Sequence, residues 1–238
     1  MPRFNVLINN GKAEVSGEAY RHLTRALRVK VGDEIEVTDG SYNYTAVIDS
    51  IDKSAAYLTV LERRESNEPK VRITLIQGLP KGDKSELIIQ KCVELGVYEI
   101  VFFAAERSVV KLDAKQKATK EERYAKIAAS AAEQSGRAVA PAVRIADNLK
   151  DALNGIENAF LVYEKATEGI TLRTVLSSGE VTDFAYIIGP EGGIGETEIK
   201  LCREQEIPQI TLGKRILRTE TAAIAVAASA MCLLGEME

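Results

Sequence analysis

Ile-Gly-Pro-Glu-Gly-Gly-Ile-Gly-Glu at 188–196 and Leu-Gly-Lys-Arg-Ile-Leu-Arg-Thr-Glu-Thr-Ala at 212–222 are the stretches that decide the fold. Each follows a short apolar run that predicts a strand and precedes a pattern that predicts a helix. In open α/β sheets, ligands bind beyond the carboxyl ends of the strands, where glycines let the backbone approach a flat ligand closely. The two segments therefore predict a ligand site at one sheet edge, and two tight turns without a ligand are the alternative.

The sequence around these segments, from residue 70 onward, alternates apolar strands with longer helical patterns. Strands are predicted at 72–77, 100–103, 160–163, 184–188 and 209–212. Helices are predicted at 84–95, 119–135, 196–206 and 219–234; Gly96 ends the first of them, and Thr197 and Thr219 stand near helix starts. Alternation of this kind predicts a parallel sheet covered by helices on both faces.

Residues 1–69 have a different pattern, in which short β-rich segments are separated by turn signals. Strands are predicted at 4–8, 34–38, 43–51 and 56–61, with turns at 10–11, 31–33 and 39–40. One helix is predicted at 17–29. The sequence thus predicts two domains, a small β-barrel at 1–69 and an α/β domain at 70–238.

The predicted helix of the small domain carries three arginines at helical spacing, Arg21, Arg25 and Arg28, which we call the basic cluster. The formal net charge of the chain is −4, but counting Lys and Arg against Asp and Glu gives six to two over residues 1–30 and three to nine over residues 31–69. A solvated charged face and a surface for a polyanion both fit this distribution.

The composition excludes several classes of protein. A chain of 238 residues with 45% hydrophobic side chains is an ordinary globular protein. Its longest nearly uncharged apolar stretch, 222–234, is too short to span a bilayer, and the amino terminus lacks a signal-peptide core, so we expect a cytoplasmic location.

Because Cys92, Cys202, Cys232 and the single histidine, His22, have no zinc-ligand or disulfide spacing, we predict no metal and three reduced, mostly buried thiols.

Familiar phosphate motifs and histidine-based hydrolysis are excluded by spacing as well. Segment 188–196 reads G-x-x-G-G-x-G rather than G-x-G-x-x-G, and segment 78–85 has one residue too few for a P-loop. One histidine in the small domain cannot complete a Ser-His-Asp or Cys-His arrangement in the larger domain. Neither a dinucleotide fold nor a hydrolase is therefore expected.

Gly-Pro-Glu-Gly-Gly at 189–193, followed by Leu-Gly-x-Arg-Ile-Leu-Arg-x-Glu-Thr-Ala at 212–222, resembles the knotted SPOUT methyltransferases, specifically the ribosomal RNA small subunit methyltransferase E family. Further matches cover nearly the whole chain, at 1–4, 22–23, 27–28, 32–33, 39–40, 81–84, 90–91, 94–96, 107–108 and 133–135. The resemblance implies methylation of N3 of a uridine in 16S rRNA, within the 30S subunit, with S-adenosylmethionine as the methyl donor.

The same resemblance implies a PUA-like β-barrel for 1–69 and a trefoil-knotted α/β domain for 70–238. The cofactor is expected in the knot, held largely by main-chain groups of three loops. The residues expected to bind it are Tyr163, Glu164, Gly189, Pro190, Glu191, Gly192, Gly193, Leu212, Gly213, Ile216 and Leu217. A homodimer through the carboxyl-terminal helix is also implied, although burial in the monomer core explains the apolar residues of that helix equally well.

Methyl transfer from a sulfonium is an in-line displacement, for which the protein must position donor and acceptor and favour the deprotonated base. We expect Arg218 to stabilise a developing uracil oxyanion or to hold the target phosphate; a salt bridge to Glu191 or Glu220 is the alternative. Glu191 is expected to act as a base or to orient the loop. Because the cysteines lie in predicted helices away from the glycine segments, nitrogen or ribose oxygen is favoured over C5 as the acceptor.

With the family in view, the basic cluster together with Arg3 and His22 is predicted to form an RNA platform, since phosphate contacts position a substrate. Lys81, Lys84, Arg107 and Arg137 are predicted to extend this surface, and the target nucleotide must be unstacked. The alternatives are a SPOUT enzyme acting on a ribose 2′-oxygen or on transfer RNA, a non-catalytic RNA-binding protein, and a small-molecule methyltransferase. The last of these leaves the basic cluster without a role.

Overall fold

The computed structural model describes residues 4–39, 42–64, 67–108, 112–166, 170–177 and 181–237. The chain forms two compact units, Met1–Glu68 with Ala132–Val139, and Pro69–Ala131 with Ala140–Glu238. Each unit contains one six-stranded sheet. Among the described helices, none is long and apolar enough to cross a membrane.

The sheet of the first unit has the strand order β1-β4-β5-β6-β3-β2. Its strands are β1 Phe4–Asn5, β2 Ile8–Asn9, β3 Lys12–Ser16, β4 Glu34–Thr38, β5 Asn43–Ile51 and β6 Ala55–Arg64. β1 pairs in parallel with β4, and the other neighbours are antiparallel. Because only Val6 and Leu7 join the two edge strands β1 and β2, the sheet must curl until its edges approach each other. A curled sheet of this kind agrees with the β-barrel predicted for this unit.

The predicted strands of this unit are confirmed apart from two details. The stretch predicted as one strand at 4–8 is interrupted at Val6 and Leu7. Strand β3 was not predicted, although Ala13 and Val15 point inward and alternate with exposed neighbours, as in any half-buried strand. Two apolar residues, one of them a small alanine, give too weak an alternation to identify a strand from sequence.

The helix predicted at 17–29 ends earlier than predicted, and it changes from an α-helix to a π-helix along its length. α1, Gly17–Arg21, continues directly into a π-helix, His22–Ala26, in which the Leu27 N–H donates to the His22 carbonyl over 3.2 Å. Leu23 anchors this turn in the barrel core, whereas Arg28 lies beyond the helix end with a φ of 53°. The prediction that the basic cluster shares one regular helical face is therefore wrong for Arg28.

The second unit is a parallel α/β sheet in the order β12-β10-β11-β7-β8-β9. Its strands are β7 Arg72–Gly78, β8 Glu99–Phe103, β9 Ala142–Ala146, β10 Ala159–Val162, β11 Asp183–Ile188 and β12 Gln209–Ile210. Its helices are α2 Lys84–Glu94, α3 Ala114–Ser135, α4 Leu149–Ala152, α5 Leu172–Leu176, α6 Glu196–Glu204 and α7 Thr219–Leu233, and the last residues of α3, from Ala132 onward, belong to the first unit. The predicted parallel sheet is confirmed.

The path of the chain through this sheet brings three loops to one edge. From the central strand β7 the chain runs outward to β8 and β9, then crosses to β10 and β11 on the other side. After the edge strand β12 it returns as α7, which packs against β7, β11, α2 and α5. The loops after β10, β11 and β12 therefore share the carboxyl edge of the sheet. The threading of this return into a knot stays a prediction.

Helix α7 buries one face within its own unit. Ala223, Val226, Ala227 and Ala230 are fully buried there, which supports burial in the monomer core as one reason for the apolar sequence of this helix. Ile224, Ala225 and Ala228 are half-buried, and Cys232 is exposed. Burial in the core thus explains the apolar residues on one face of the helix, whereas a second apolar face stays partly exposed.

Candidate functional site

A cavity of about 510 Å³ lies at the carboxyl edge of the parallel sheet of the second unit. Segments after β10, β11 and β12 and the start of α7 form its walls. Every residue predicted to bind the cofactor lines it: Tyr163, Glu164, Gly189, Pro190, Glu191, Gly192, Gly193, Leu212, Gly213, Ile216 and Leu217. Arg218 and Lys84 line it too. The structure thus brings together residues that lie more than fifty positions apart in the sequence.

The glycine segment at 189–195 is held in place by close backbone contacts. A Cβ at Gly192 would lie 2.8 Å from the Arg107 carbonyl oxygen, and a Cβ at Gly78 would lie 2.4 Å from Pro190 Cδ. Cβ atoms do not come this close to their neighbours, so both positions require glycine. The Gly193 N–H donates to the Pro190 carbonyl over 2.9 Å and closes the turn.

Two carboxylates, the buried Glu198 and the exposed Glu106, fix the end of the glycine segment where it enters α6. Glu198 accepts the Gly195 N–H at 2.7 Å and the Glu106 N–H at 2.8 Å. Glu106 in turn accepts the Thr197 hydroxyl and N–H, and the hydroxyl bond is the main cause of a lowered pKa for the Glu106 carboxyl. The helix start and the loop after β8 are therefore tied together.

Glu191 forms an ion pair rather than standing free in the cavity. Its Oε1 accepts from Lys84 Nζ at 2.8 Å and from the Lys81 N–H at 3.2 Å, and Lys84 Nζ also lies 3.5 Å from Glu220 Oε2. Burial acts to raise the pKa of Glu191, but the Lys84 hydrogen bond and the backbone N–H groups outweigh it and lower the pKa overall. A carboxylate of this kind is ionised at neutral pH and is a weak base.

Arg218 lies at the start of α7, where its backbone is extended and its carbonyl accepts the Ala222 N–H at 2.8 Å. Its side chain is exposed at the cavity, and no carboxylate of the described residues lies within 4.0 Å of it. The alternative of a salt bridge to Glu191 or Glu220 is therefore wrong, because both carboxylates lie against Lys84 instead. The guanidinium is available for an anion.

The loop before Arg218 adds residues that the sequence interpretation missed. Lys214 and Arg215 line the cavity, are exposed, and have no carboxylate of the described residues within 4.0 Å. Ile216 beside them is 85% exposed. A loop that combines free cations with an uncovered apolar side chain provides contacts for a ligand that is both anionic and flat. Both cations lie inside a segment already quoted for its glycine, so their charge could have identified them.

The predicted RNA contacts divide between the two units. In the first unit, Arg21, His22, Arg25 and Arg28 are all exposed, and no described carboxylate pairs with the three arginines. Arg3 lies outside the described residues.

In the second unit, Lys81 and Arg107 are exposed and without an ion-pair partner among the described residues, whereas Lys84 is committed to Glu191. Arg137, which packs with the first unit, is 7% exposed and donates to Glu68 at 2.7 Å. Its predicted place on an RNA surface is therefore wrong.

The cysteines are unsuited to nucleophilic catalysis. Burial raises the pKa of the Cys92 thiol to about 12 and that of Cys202 to about 11, so both are neutral thiols. Cys232 is exposed on α7, and none of the three lines the cavity. Among the described residues no group of three or more His, Cys, Asp or Glu side chains is arranged to hold a metal ion.

Two family models match the chain in succession. The RNA methyltransferase PUA domain matches residues 15–61, and the RNA methyltransferase domain matches residues 66–231. Together with the barrel and the cavity at the sheet edge, these matches define the class of this protein as an RNA methyltransferase with an amino-terminal PUA domain.

Similar proteins identify the family of RNA methyltransferases to which this chain belongs. The chain is 34% identical to ribosomal RNA small subunit methyltransferase E of Bacillus subtilis in an alignment 228 positions long that covers 88% of this chain and 86% of that protein. A crystal structure of ribosomal RNA small subunit methyltransferase E from Neisseria gonorrhoeae bound to S-adenosylmethionine superposes with a TM-score of 0.81 at 32% identity over 98% of each chain. A methyltransferase from Legionella pneumophila in complex with the same cofactor gives a TM-score of 0.80 at 30% identity over 97% of this chain and 96% of that one. The chain belongs to the ribosomal RNA small subunit methyltransferase E family.

Proposed function

We propose that this protein transfers a methyl group from S-adenosylmethionine to N3 of one uridine in 16S rRNA, within the 30S subunit. The single observation that carries the proposal is the cavity in which the loops after β10, β11 and β12 meet Arg218. Family membership supports the substrate class, because the named relatives are small-subunit rRNA methyltransferases.

The cavity fits the cofactor in size and chemistry. Its volume of about 510 Å³ falls within the range of roughly 300–1,000 Å³ for small-molecule and cofactor sites. The backbone of Gly192 and Gly193 can approach a ligand closely, and Leu212, Ile216 and Leu217 offer apolar surface to an adenine ring. When bound, S-adenosylmethionine supplies an electrophilic methyl carbon on a sulfonium.

Arg218 is the residue we propose for catalysis. Loss of the N3 proton leaves negative charge on the uracil oxygens, and a guanidinium without a carboxylate partner stabilises that charge as it forms. Because Arg218 directly precedes the first turn of α7, its backbone is fixed on the cavity side of that helix start. The same side chain could not do this if Glu191 or Glu220 neutralised it.

Glu191 takes the orienting role in this proposal rather than that of the base. Its lowered pKa makes it a poor proton acceptor, and both its carboxylate oxygens are engaged by Lys81 N–H and Lys84. It holds the glycine segment against the loop that precedes α2, and the N3 proton leaves to water.

The RNA contacts are proposed on two surfaces. The basic cluster and His22 on the first unit hold phosphates, as do Lys81, Arg107, Lys214 and Arg215 on the second. Exposed cations without carboxylate partners suit a polyanion. Arg3 belongs to this proposal by its place in the sequence alone.

A homodimer through α7 and a cytoplasmic location complete the proposal. The half-buried Ile224, Ala225 and Ala228 form an apolar face that a second copy of the same helix would cover. Analytical ultracentrifugation tests this point: a monomer at micromolar concentration would contradict it. The division of the chain into domains at 1–69 and 70–238 stays part of the same proposal.

The proposal is tested by transfer of labelled methyl from S-adenosylmethionine to 30S subunits and to naked 16S rRNA, both from cells that lack this gene. Label in either substrate supports rRNA methylation, and the comparison shows which form of the RNA is recognised. If neither substrate is labelled while transfer RNA is, the target is wrong. If the protein binds RNA but labels none of these substrates, it is a binding protein.

A further inference from the structure

A buried hydrogen-bonded junction joins strand β7, the glycine segment and the start of α7. Gln77 is fully buried at the carboxyl end of β7, and its Nε2 donates to the Gly78 carbonyl at 2.9 Å and to the Gly189 carbonyl at 3.3 Å. The same Nε2 donates to Thr219 Oγ1 at 2.8 Å, so one of its two hydrogens is shared with the longer contact to the Gly189 carbonyl. The Thr219 hydroxyl donates to the Gly189 carbonyl at 2.6 Å.

The orientation of the Gln77 amide is fixed by its neighbours. Rotating the amide by half a turn would place its oxygen against the carbonyl oxygens of Gly78 and Gly189, which is repulsive. In the orientation that satisfies both carbonyls, Gln77 Oε1 is buried without a hydrogen-bond partner among the described residues.

The packing of the strand does not by itself explain this amide. A buried carbonyl oxygen without a partner destabilises a fold, and the other side chains of β7 from Ile73 to Ile76 are almost all buried and apolar. A methionine at position 77 would fill the same space without an unpaired oxygen, but it would leave the Gly78 and Gly189 carbonyls without the Gln77 donor, so the amide serves the junction and not the packing of the strand. Buried polar groups that break this rule are found where function requires them.

We propose that Gln77 and Thr219 are positioning residues for the methyl transfer. They bind the carbonyl of Gly189, which begins the glycine segment, and Thr219 directly follows Arg218. Through them the glycine segment and the Arg218 backbone keep a fixed spacing across the cavity. The contact of Gly78 with Pro190 tightens the same junction. The inference rests on the proposed function of this cavity.

The test compares variants that remove the junction with variants that keep it. Gln77→Met and Thr219→Val remove the donors at nearly constant volume, whereas Thr219→Ser keeps the hydroxyl. Thr74→Val is the matched control, because Thr74 lies in the same strand, is 7% exposed, and does not line the cavity. For each protein, calorimetry gives the Kd for S-adenosylmethionine without RNA, a methylation assay gives kcat and KM, and thermal unfolding gives Tm.

We expect Gln77→Met and Thr219→Val each to weaken the cofactor Kd and to lower kcat by at least about tenfold, since each removes more than one buried hydrogen bond and about tenfold is the effect of losing one. Their Tm stays within about 4 °C of wild type. Thr219→Ser and Thr74→Val keep the wild-type Kd and kcat.

An unchanged Kd and kcat in Gln77→Met and Thr219→Val overturns the inference, whatever their Tm. Should Gln77→Met fail to fold, the comparison of Thr219→Val with Thr219→Ser decides. If wild type binds the cofactor but methylates no rRNA, the substrate proposal fails while the Kd comparison still tests the junction. A wild-type protein that does not bind the cofactor overturns both.

Discussion

Replacing Arg218 with glutamine separates catalysis from stability. The side chain is exposed, has no carboxylate of the described residues within 4.0 Å, and lines the proposed cofactor cavity. Glutamine keeps a polar side chain at the start of α7 while it removes the positive charge. The backbone hydrogen bond from Ala222 to the carbonyl of residue 218 does not depend on the side chain.

The magnitude of the effect follows from this environment. A surface substitution without broken contacts changes the free energy of unfolding by about 0.5 kcal/mol or less. Removing one group that stabilises charge in the transition state costs about 10²–10³ in kcat, or roughly 3–4 kcal/mol. We therefore expect Arg218→Gln to retain the wild-type Tm and cofactor Kd but to lose at least a hundredfold in kcat.

The assay is single-turnover methyl transfer to rRNA at saturating enzyme, so that weaker RNA binding does not mimic a slower reaction. Arg203→Gln on α6 is the matched control, because Arg203 is also exposed, has no ion-pair partner among the described residues, and lies outside the cavity. Arg218→Lys keeps the charge without the planar guanidinium and should fall between the two. A wild-type single-turnover rate for Arg218→Gln would refute the assignment.

Three further predictions concern the loop, the pH dependence and the RNA surface. Gly192→Ala places a Cβ 2.8 Å from a backbone oxygen, so the loop must shift and the cofactor Kd measured by calorimetry should weaken; an unchanged Kd would show that the loop adapts. The lowered pKa of Glu191 means that its ion pair stabilises the fold above its ordinary pKa of 4.5 and that this contribution is lost as pH falls through the lowered value. The difference in unfolding free energy between wild type and Glu191→Gln should therefore be constant near neutral pH and shrink in acid, and a difference that grows in acid would contradict it. Replacing all three arginines of the basic cluster with glutamine should lower RNA affinity and reduce the slope of log K against log salt by about 2, at roughly 0.7 per phosphate contact; an unchanged slope in a salt titration would exclude them from the interface.

The parallel sheet could be predicted because its strands are apolar runs long enough to stand out between helical patterns. β7 and β11 are buried along nearly their whole length, and their predicted positions agree with the structure to within one residue. β9 was missed because it is an edge strand with Arg144 at its centre, and that arginine is satisfied by Glu99 of the neighbouring strand at 2.9 Å. A pattern of neighbouring residues cannot reveal a partner that lies 45 residues away in the sequence.

The change of period within the first helix could not be predicted for a related reason. A regular pattern of Arg21, Arg25 and Arg28 fits an α-helix, but the turn at His22–Ala26 is a π-helix that carries Leu23, which is fully buried in the barrel core. Burial of one leucine is a tertiary contact, which local helical propensity does not describe.

In the candidate site too, residues in local motifs could be predicted and residues with distant partners could not. The glycine and arginine motifs identified the cavity residues, since each motif is a contiguous segment of the sequence. Gln77 was missed because it is one amide in an apolar strand, and its partners Gly189 and Thr219 are 112 and 142 residues away. Lys84 was predicted on an RNA surface, whereas its ion pair with Glu191 across 107 residues depends on the fold.

The identity of the methylated nucleoside tests the central claim most directly. 16S rRNA from cells that lack this gene would be treated, as 30S subunits, with the protein and S-adenosylmethionine, digested to nucleosides and analysed by mass spectrometry. We predict 3-methyluridine at a single site and no such product with Arg218→Gln. A 2′-O-methylated nucleoside, or a methylated base other than uracil at N3, would contradict the account.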